Sequence, residues 1–232
     1  MTQTQTQTQT ETQTQLTSFP AGYWDTSLEV YVELPKFFLH KWWEEVILPP
    51  LPDPNEIRDE LATLLDMQAD LDERKRRRRD IKREATGLTP QFQRVLVFGP
   101  ASHPRTFLLV QAMLEVGRIV AVHYKFKFNR PRPSQIEPEL RPMLDVPGHP
   151  SYPSGHAVQM HLIAQALATV VRNHDIGNEL FKIAHEVAVN REWAGLHYRS
   201  DTKAGKQLAR EIFPYVEEAY ENTFRGAAQE WL

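Results

Sequence analysis

The chain has no cysteine, which excludes a disulfide framework and thiolate chemistry. It has little net charge, −3, so no bulk attraction to nucleic acid or to an anionic membrane is expected. Long apolar runs are also scarce. The longest candidate, Phe107 to Tyr124, is interrupted by Gln111, Glu115 and Arg118, and the expectation is that no run reaches membrane length. The N-terminus lacks the basic and apolar regions of a secretory leader, which leaves a cytoplasmic protein as the default expectation. Period-2 alternation is hardly seen, which argues against a sheet. What the chain does have is 232 residues, 41% of them hydrophobic, enough for one helical domain with a sizeable core.

Residues 1–15 are almost all Thr and Gln, with Glu11 the only charge; such a tail cannot bury apolar surface and is expected to be disordered. The single domain then runs over 16–232. Residues 16–53 are rich in aromatics (Phe19, Tyr23, Trp24, Tyr31, Phe37, Phe38, Trp42, Trp43), read as core or subunit contact, with a short helix near Pro35–Ile47. Asp53, Pro54 and Glu56 form a helix-start signature. The helix they open carries the stripe Ile57, Leu61, Leu64, Leu65 and Leu71, then runs into the basic cluster from Arg74 to Arg79. Acidic residues at 70, 72, 73, 80 and 84 surround that cluster, which favours a solvated or partner-facing helix over a nucleic-acid site. Another apolar helix is expected from Pro104 to Phe128, with His123 on its buried face, stopped by Asn129-Arg130-Pro131-Arg132-Pro133. An irregular loop, 130–152, leads to helices over 156–172, 177–192 and about 199–225, the last with Pro214 as a candidate kink. The pattern predicts an all-α bundle with long functional loops. The aromatic helices and the otherwise isolated basic helix point to a homo-oligomer.

The chain is organised around His149-Pro150-Ser151-Tyr152-Pro153-Ser154-Gly155-His156-Ala157, a tight turn that opens into an apolar helix. A helix start carries free N–H groups and partial positive charge, so it suits an oxyanion. Ser154 adds a hydroxyl, Gly155 permits close backbone approach, and His156 stands beside them. Lys125 lies seven residues before Arg132, across a helix end. Arg191 ends another helix, and His197 and Asp201 follow at i, i+4 spacing, expected to share a helical face. Arginine forks and a lysine point charge bind a tetrahedral oxyanion. One histidine can attack or ligate the central atom while the other moves a proton. Asp201 is placed to bond the far nitrogen of His197 and fix its tautomer.

These residues resemble a known superfamily: type 2 phosphatidic acid phosphatases (PAP2), bacterial class A acid phosphatases and vanadium-dependent haloperoxidases. Its pattern is K-x6-RP, then PSGH, then SR-x5-H-x3-D. Lys125 to Arg132-Pro133, Pro153 to His156, and Arg191, His197 and Asp201 match in order, with Asn190 in place of the usual serine. The matches span residues 125–201. The resemblance implies a helical bundle of that family's type. It implies that Lys125, Arg132, Ser154, Gly155 and Arg191 hold the oxygens of vanadate or phosphate. His197 would be the vanadium ligand of a peroxidase or the nucleophile of a phosphatase, and His156 the acid–base partner. The flank from His149 to His156 looks like the algal bromoperoxidase version of the turn, so His149 joins the catalytic candidates. The favoured expectation is a vanadate-dependent haloperoxidase oxidising bromide or iodide with hydrogen peroxide. The alternative is a soluble acid phosphatase acting on phosphomonoesters, with phosphate in the same site. Neither a nucleic-acid partner nor a membrane is expected.

Overall fold

The computed structural model describes residues 24–232, so the Thr/Gln segment 1–15 and the aromatics Phe19 and Tyr23 lie outside the described residues. All regular structure among the described residues is helical, as the absence of period-2 alternation predicts. The longer helices are α1 (Pro54–Ala69), α2 (Leu71–Thr86), α3 (Pro104–Phe128), α4 (Gly155–Val171), α5 (His174–Trp193), α6 (Arg199–Ala219) and α7 (Glu221–Gln229).

α4 is the axis of the bundle. Ala157, Val158, Met160, Ile163, Ala164 and Leu167 have no exposed surface, because α3, α5, α6 and α7 pack around this helix. A helix apolar on every side is stable in water only when it is so enclosed. Two glycines let neighbours approach it closely. A Cβ at Gly117 of α3 would lie 2.8 Å from Gln159 Cγ. At Gly205 of α6 it would lie 2.7 Å from Ser154 O and 2.8 Å from Ala157 Cβ. The second contact pins the start of α6 against the turn that opens α4, and Ser154 N donates to Asp201 O at 3.0 Å across the same junction.

Several boundaries differ from the periodic pattern, each for a local reason. The region 35–47 forms two short helices, Leu34–Leu39 and Trp42–Glu45, because Lys41 between them adopts a left-handed φ of 49°. Phe37 and Trp42 are buried and stacked, while Trp24, Tyr31 and Phe38 are exposed. The helix opened by Asp53 does not run on to Thr86. It stops at Asp70, whose carboxylate accepts from Glu73 N at 2.9 Å and starts α2 afresh. Leu71, beyond that break, is exposed rather than part of the stripe. His123 is likewise exposed, held edge-on to Trp42. Asn173 caps α5 instead of ending α4. The last break falls at Tyr220, between α6 and α7, and Pro214 sits inside α6.

The membrane-length expectation also changes. Pro104–Ile136, which contains α3, is long and apolar enough to cross a membrane, with a window of mean hydropathy 1.4. Gln111, Glu115 and Arg118 interrupt the run without offsetting its Leu, Val and Met residues. In this fold 56% of that window is buried inside the protein, chiefly against α4.

The Gly205 contact yields a stability prediction. Gly205→Ala should cost about 1–3 kcal/mol by overpacking and lower Tm by several degrees, as read by calorimetry. Gly99→Ala, where a Cβ meets nothing within 4 Å, serves as the control. Equal melting of the two variants would contradict the tight α4–α6 junction.

Candidate active site

Four chain segments meet at one end of the bundle: the C-terminal end of α3, the 130–156 connection, the C-terminal end of α5, and the approach to α6. They enclose a cavity of about 210 Å³ lined in part by Lys125, Arg132, His149, Gly155, His156, Arg191 and His197. The three widely separated motifs therefore converge. Ser154 stands just behind this lining. It is the N-cap of α4, fully buried, and its Oγ accepts from Ala157 N at 3.4 Å.

Lys125 sits on the last turn of α3, 3% exposed, and its Nζ donates to Pro150 O at 2.7 Å and Ser151 O at 2.9 Å. Burial, and then the nearby Arg132 charge, hold its ammonium well below the usual lysine range. Arg132, 2% exposed, is the hub of the site. Its Nε donates to His149 O at 3.0 Å, and its Nη1 donates to Leu196 O at 2.9 Å and His197 Nε2 at 3.0 Å. Its Nη2 donates to His149 Nδ1 at 3.1 Å. Burial pushes its guanidinium down to about 10. Neither Lys125 nor Arg132 forms an ion pair among the described residues; their partners are carbonyl oxygens and ring nitrogens.

Arginine has no acceptor, so the Arg132 contact fixes the His197 tautomer: Nε2 carries the lone pair and Nδ1 the proton. That proton is donated to Asp201 Oδ2 at 3.0 Å. The His197–Asp201 contact expected from i, i+4 spacing is present, but not on one helical face. His197 precedes the N-cap Tyr198, and Asp201 is in the first turn of α6, where it also accepts from Tyr198 N at 3.1 Å. The helix start bends the carboxylate back toward the preceding loop. Burial raises the Asp201 carboxyl and Arg130 opposes it, donating to Oδ1 at 2.7 Å.

Arg191, at the end of α5, is 1% exposed and donates through Nη2 to Glu84 Oε2 at 2.5 Å and Ile81 O at 3.0 Å. Its Nε is buried without a partner. His156 Nε2 donates to Glu84 O at 3.3 Å, leaving Nδ1 as its lone-pair nitrogen. Burial, then the Arg191 charge, push His156 down to about 3. His197 is held well below the ordinary histidine value by burial and by Arg132. His149 is also lowered, again chiefly by burial. The site thus presents three neutral imidazoles, two guanidinium cations and the Lys125 amine, which burial pushes down to about 7.

Three supporting residues carried no role in the sequence reading. Glu84 appeared only as one of the acidic residues around the basic cluster. Arg130 appeared only as part of a helix stop. Arg130 also stacks over Tyr198 at 3.7 Å and donates to Glu60 Oε2 at 3.0 Å. Glu60 in turn receives Ser200 N at 2.6 Å and ties α1 to the start of α6.

The lowered histidines set the acid stability. A histidine whose folded value lies below 6.5 refuses a proton that the unfolded chain takes up. Its contribution is present above about pH 6.5 and is lost as pH falls toward the folded value. His156 (about 3), His161 (about 4, lowered by burial) and His197 all have this sign. Urea unfolding should give a smaller free energy at about pH 5 than at about pH 7.5. His161→Gln, away from the cavity, should reduce that loss; an unchanged loss would contradict the buried neutral state of His161.

A family model described as the PAP2 superfamily matches residues 106–210. Among solved structures, the chain is similar to the first bacterial vanadium-dependent iodoperoxidase, at 18% identity and a TM-score of 0.57, covering 74% of this chain and 51% of that one. It spans only about half of that protein's length. It is also similar to a transmembrane PAP2-type phosphatidylglycerolphosphate phosphatase from Bacillus subtilis, at 15% identity and a TM-score of 0.54, covering 85% of this chain and 96% of that one. No curated protein matches the chain. At these identities the two structures show a shared fold, the all-α bundle that the motifs implied. Residues 106–210, the stretch that carries Lys125, Arg132, Ser154, Gly155, His156, Arg191, His197 and Asp201, are thus similar to the PAP2 superfamily.

Proposed function

We propose that the chain is a vanadate-dependent haloperoxidase that uses hydrogen peroxide to oxidise bromide or iodide. The observation that carries this reading is that Lys125 and Arg132 are buried around one small cavity with no carboxylate in direct contact, and with the lone pair of His197 Nε2 beside them. Buried cations without anionic partners are costly, and a tetrahedral oxyanion supplies the missing charge. The residues present fit vanadate. Arg191 has an unused buried Nε, Gly155 leaves open the space a side chain would take, and the donors are all of the kind an oxyanion accepts from.

In this reading Lys125, Arg132, Arg191 and the backbone at Gly155 hold the oxygens, and His197 Nε2 is the ligand. When bound, vanadate supplies the Lewis acid that activates peroxide toward the halide. The chain's own residues do the rest. Asp201 keeps the proton on His197 Nδ1, so Nε2 keeps its lone pair, which accepts from Arg132 Nη1 at 3.0 Å and would turn to vanadate when it is bound. His156 Nδ1 and His149 take up or release the protons that peroxide binding moves. Ala121, Val122, Pro147 and Leu196 give the cavity short apolar walls, which limit bulk water beside the reacting atoms. A cytoplasmic setting belongs to the same reading.

A phosphatase is the second reading, favoured by the His197–Asp201 pair itself. The same Nε2 would attack phosphorus, forming a phosphohistidine as the P–O bond to the leaving group breaks. His156, once protonated, would deliver a proton to that oxygen, and water would then release phosphate.

One paired assay separates the two. After incubation with vanadate, the protein should brominate or iodinate a phenolic dye with peroxide, and phosphate should slow the reconstitution. His197→Ala should abolish turnover. Brisk hydrolysis of p-nitrophenyl phosphate with no halogenation under vanadate-saturated conditions would reverse the ranking. His149→Ala should alter halide preference more than vanadate affinity; the reverse order would make His149 a holder of Arg132 only.

A further inference from the structure

The basic helix α2 lines no part of the cavity itself, but its inner face is joined to two cavity residues, Arg191 and His156, through Glu84. Arg76 and Arg77 are both paired with Glu73, and Arg74 donates to Arg141 O at 2.7 Å. Arg77 is the inward member of the run. It packs over the Trp193 ring at 5.3 Å and donates through Nη1 to Asn190 Oδ1 at 2.7 Å and Glu186 Oε2 at 3.1 Å. Asn190 Nδ2 donates to Glu84 Oε1 at 2.8 Å. The other oxygen of Glu84 receives Arg191, and its backbone carbonyl receives His156. Glu84, Asn190 and Arg191 are all at most 5% exposed.

We propose that Glu84 is the positioning residue of the anion cradle, fixing Arg191 through its carboxylate and His156 through its carbonyl, with Arg77 and Asn190 holding Glu84 in place. The inference rests on the oxyanion reading of the cavity. It also gives a reason for asparagine at position 190. Glu84 can only accept, and Arg77 can only donate. The residue between them must donate to one and accept from the other, which the amide of asparagine does with both ends at full reach. A serine hydroxyl has the chemistry but a shorter arm.

The order of donors and acceptors makes the proposal sharply testable. Glu84→Gln puts an NH2 group where an N–H donor already points, so one of the two bonds at this position is lost. The double variant Glu84→Gln with Asn190→Asp restores every bond with the amide and carboxylate transposed. The amide at position 84 then accepts from Arg191 and donates to the carboxylate at position 190, which still accepts from Arg77.

The experiment is calorimetric titration of the full chain with vanadate and, separately, with inorganic phosphate, alongside turnover in whichever assay the wild type supports. Wild type should bind one oxyanion. Glu84→Gln should weaken binding and kcat/KM by about 10- to 100-fold, and Arg77→Met by a smaller factor in the same direction. The transposed double variant should regain most of the loss, although it restores neither native side chain. Melting curves establish that each variant is folded. Wild-type binding with Glu84→Gln equally tight and active would overturn the positioning role alone. A double variant no better than Glu84→Gln would also overturn it. Wild type that binds neither anion would overturn the oxyanion reading, and this inference with it.

Discussion

The constraint on which the rest of the structure depends is the crowding of positive charge at one buried point. Lys125, Arg132 and Arg191 come from three separate segments and are each nearly inaccessible to water. Only Arg191 has a carboxylate in direct contact. Burial and the nearby Arg132 charge depress Lys125, and burial depresses Arg132, while Asp201 raises both; the proposed function gives this charge an anion to hold. The protein meets the cost with oriented carbonyls. Pro150 and Ser151 face Lys125, and Leu196 and His149 face Arg132. Those carbonyls are turned inward because the Pro-rich connection and the approach to α6 are irregular there, which frees their backbone groups from helical bonds.

The bundle places this point by close packing. Gly117 and Gly205 bring α3 and α6 onto α4, and the latter contact fixes the turn at Ser154 against the carbonyl of Asp201. The apolar core and the site are therefore not separable. The helix that forms the hydrophobic axis is also the helix whose first turn, at Gly155 and His156, lines the cavity. Under either proposed reading the same donors would hold a small tetrahedral oxyanion, vanadate in one and a phosphoryl group in the other.

Much of this was legible in the residues. The span Pro104–Phe128 followed from apolar periodicity and from the prolines after it. The three motifs were ordered along the chain, and the structure brings Lys125, Arg132, Gly155, His156, Arg191 and His197 to one cavity. The breaks at Asp70 and Tyr220 were hidden because the hydrophobic period runs across them, and an Asp inside a charged stretch does not announce itself as a cap. Glu84 and Arg130 were hidden for a different reason. Their roles depend on contacts more than a hundred residues away in sequence for Glu84 and about seventy for Arg130, and local spacing carries no trace of such pairings. The membrane-length reading erred by weighing three polar residues individually when the window average decides.

The most direct test of the central claim is a crystal structure of the protein grown with vanadate. Density for a single oxyanion is expected in the cavity, its oxygens contacted by Lys125, Arg132 and Arg191 and its central atom against His197 Nε2. An anion bound elsewhere, or Lys125 and Arg132 found paired with carboxylates while the cavity binds no anion, would contradict it.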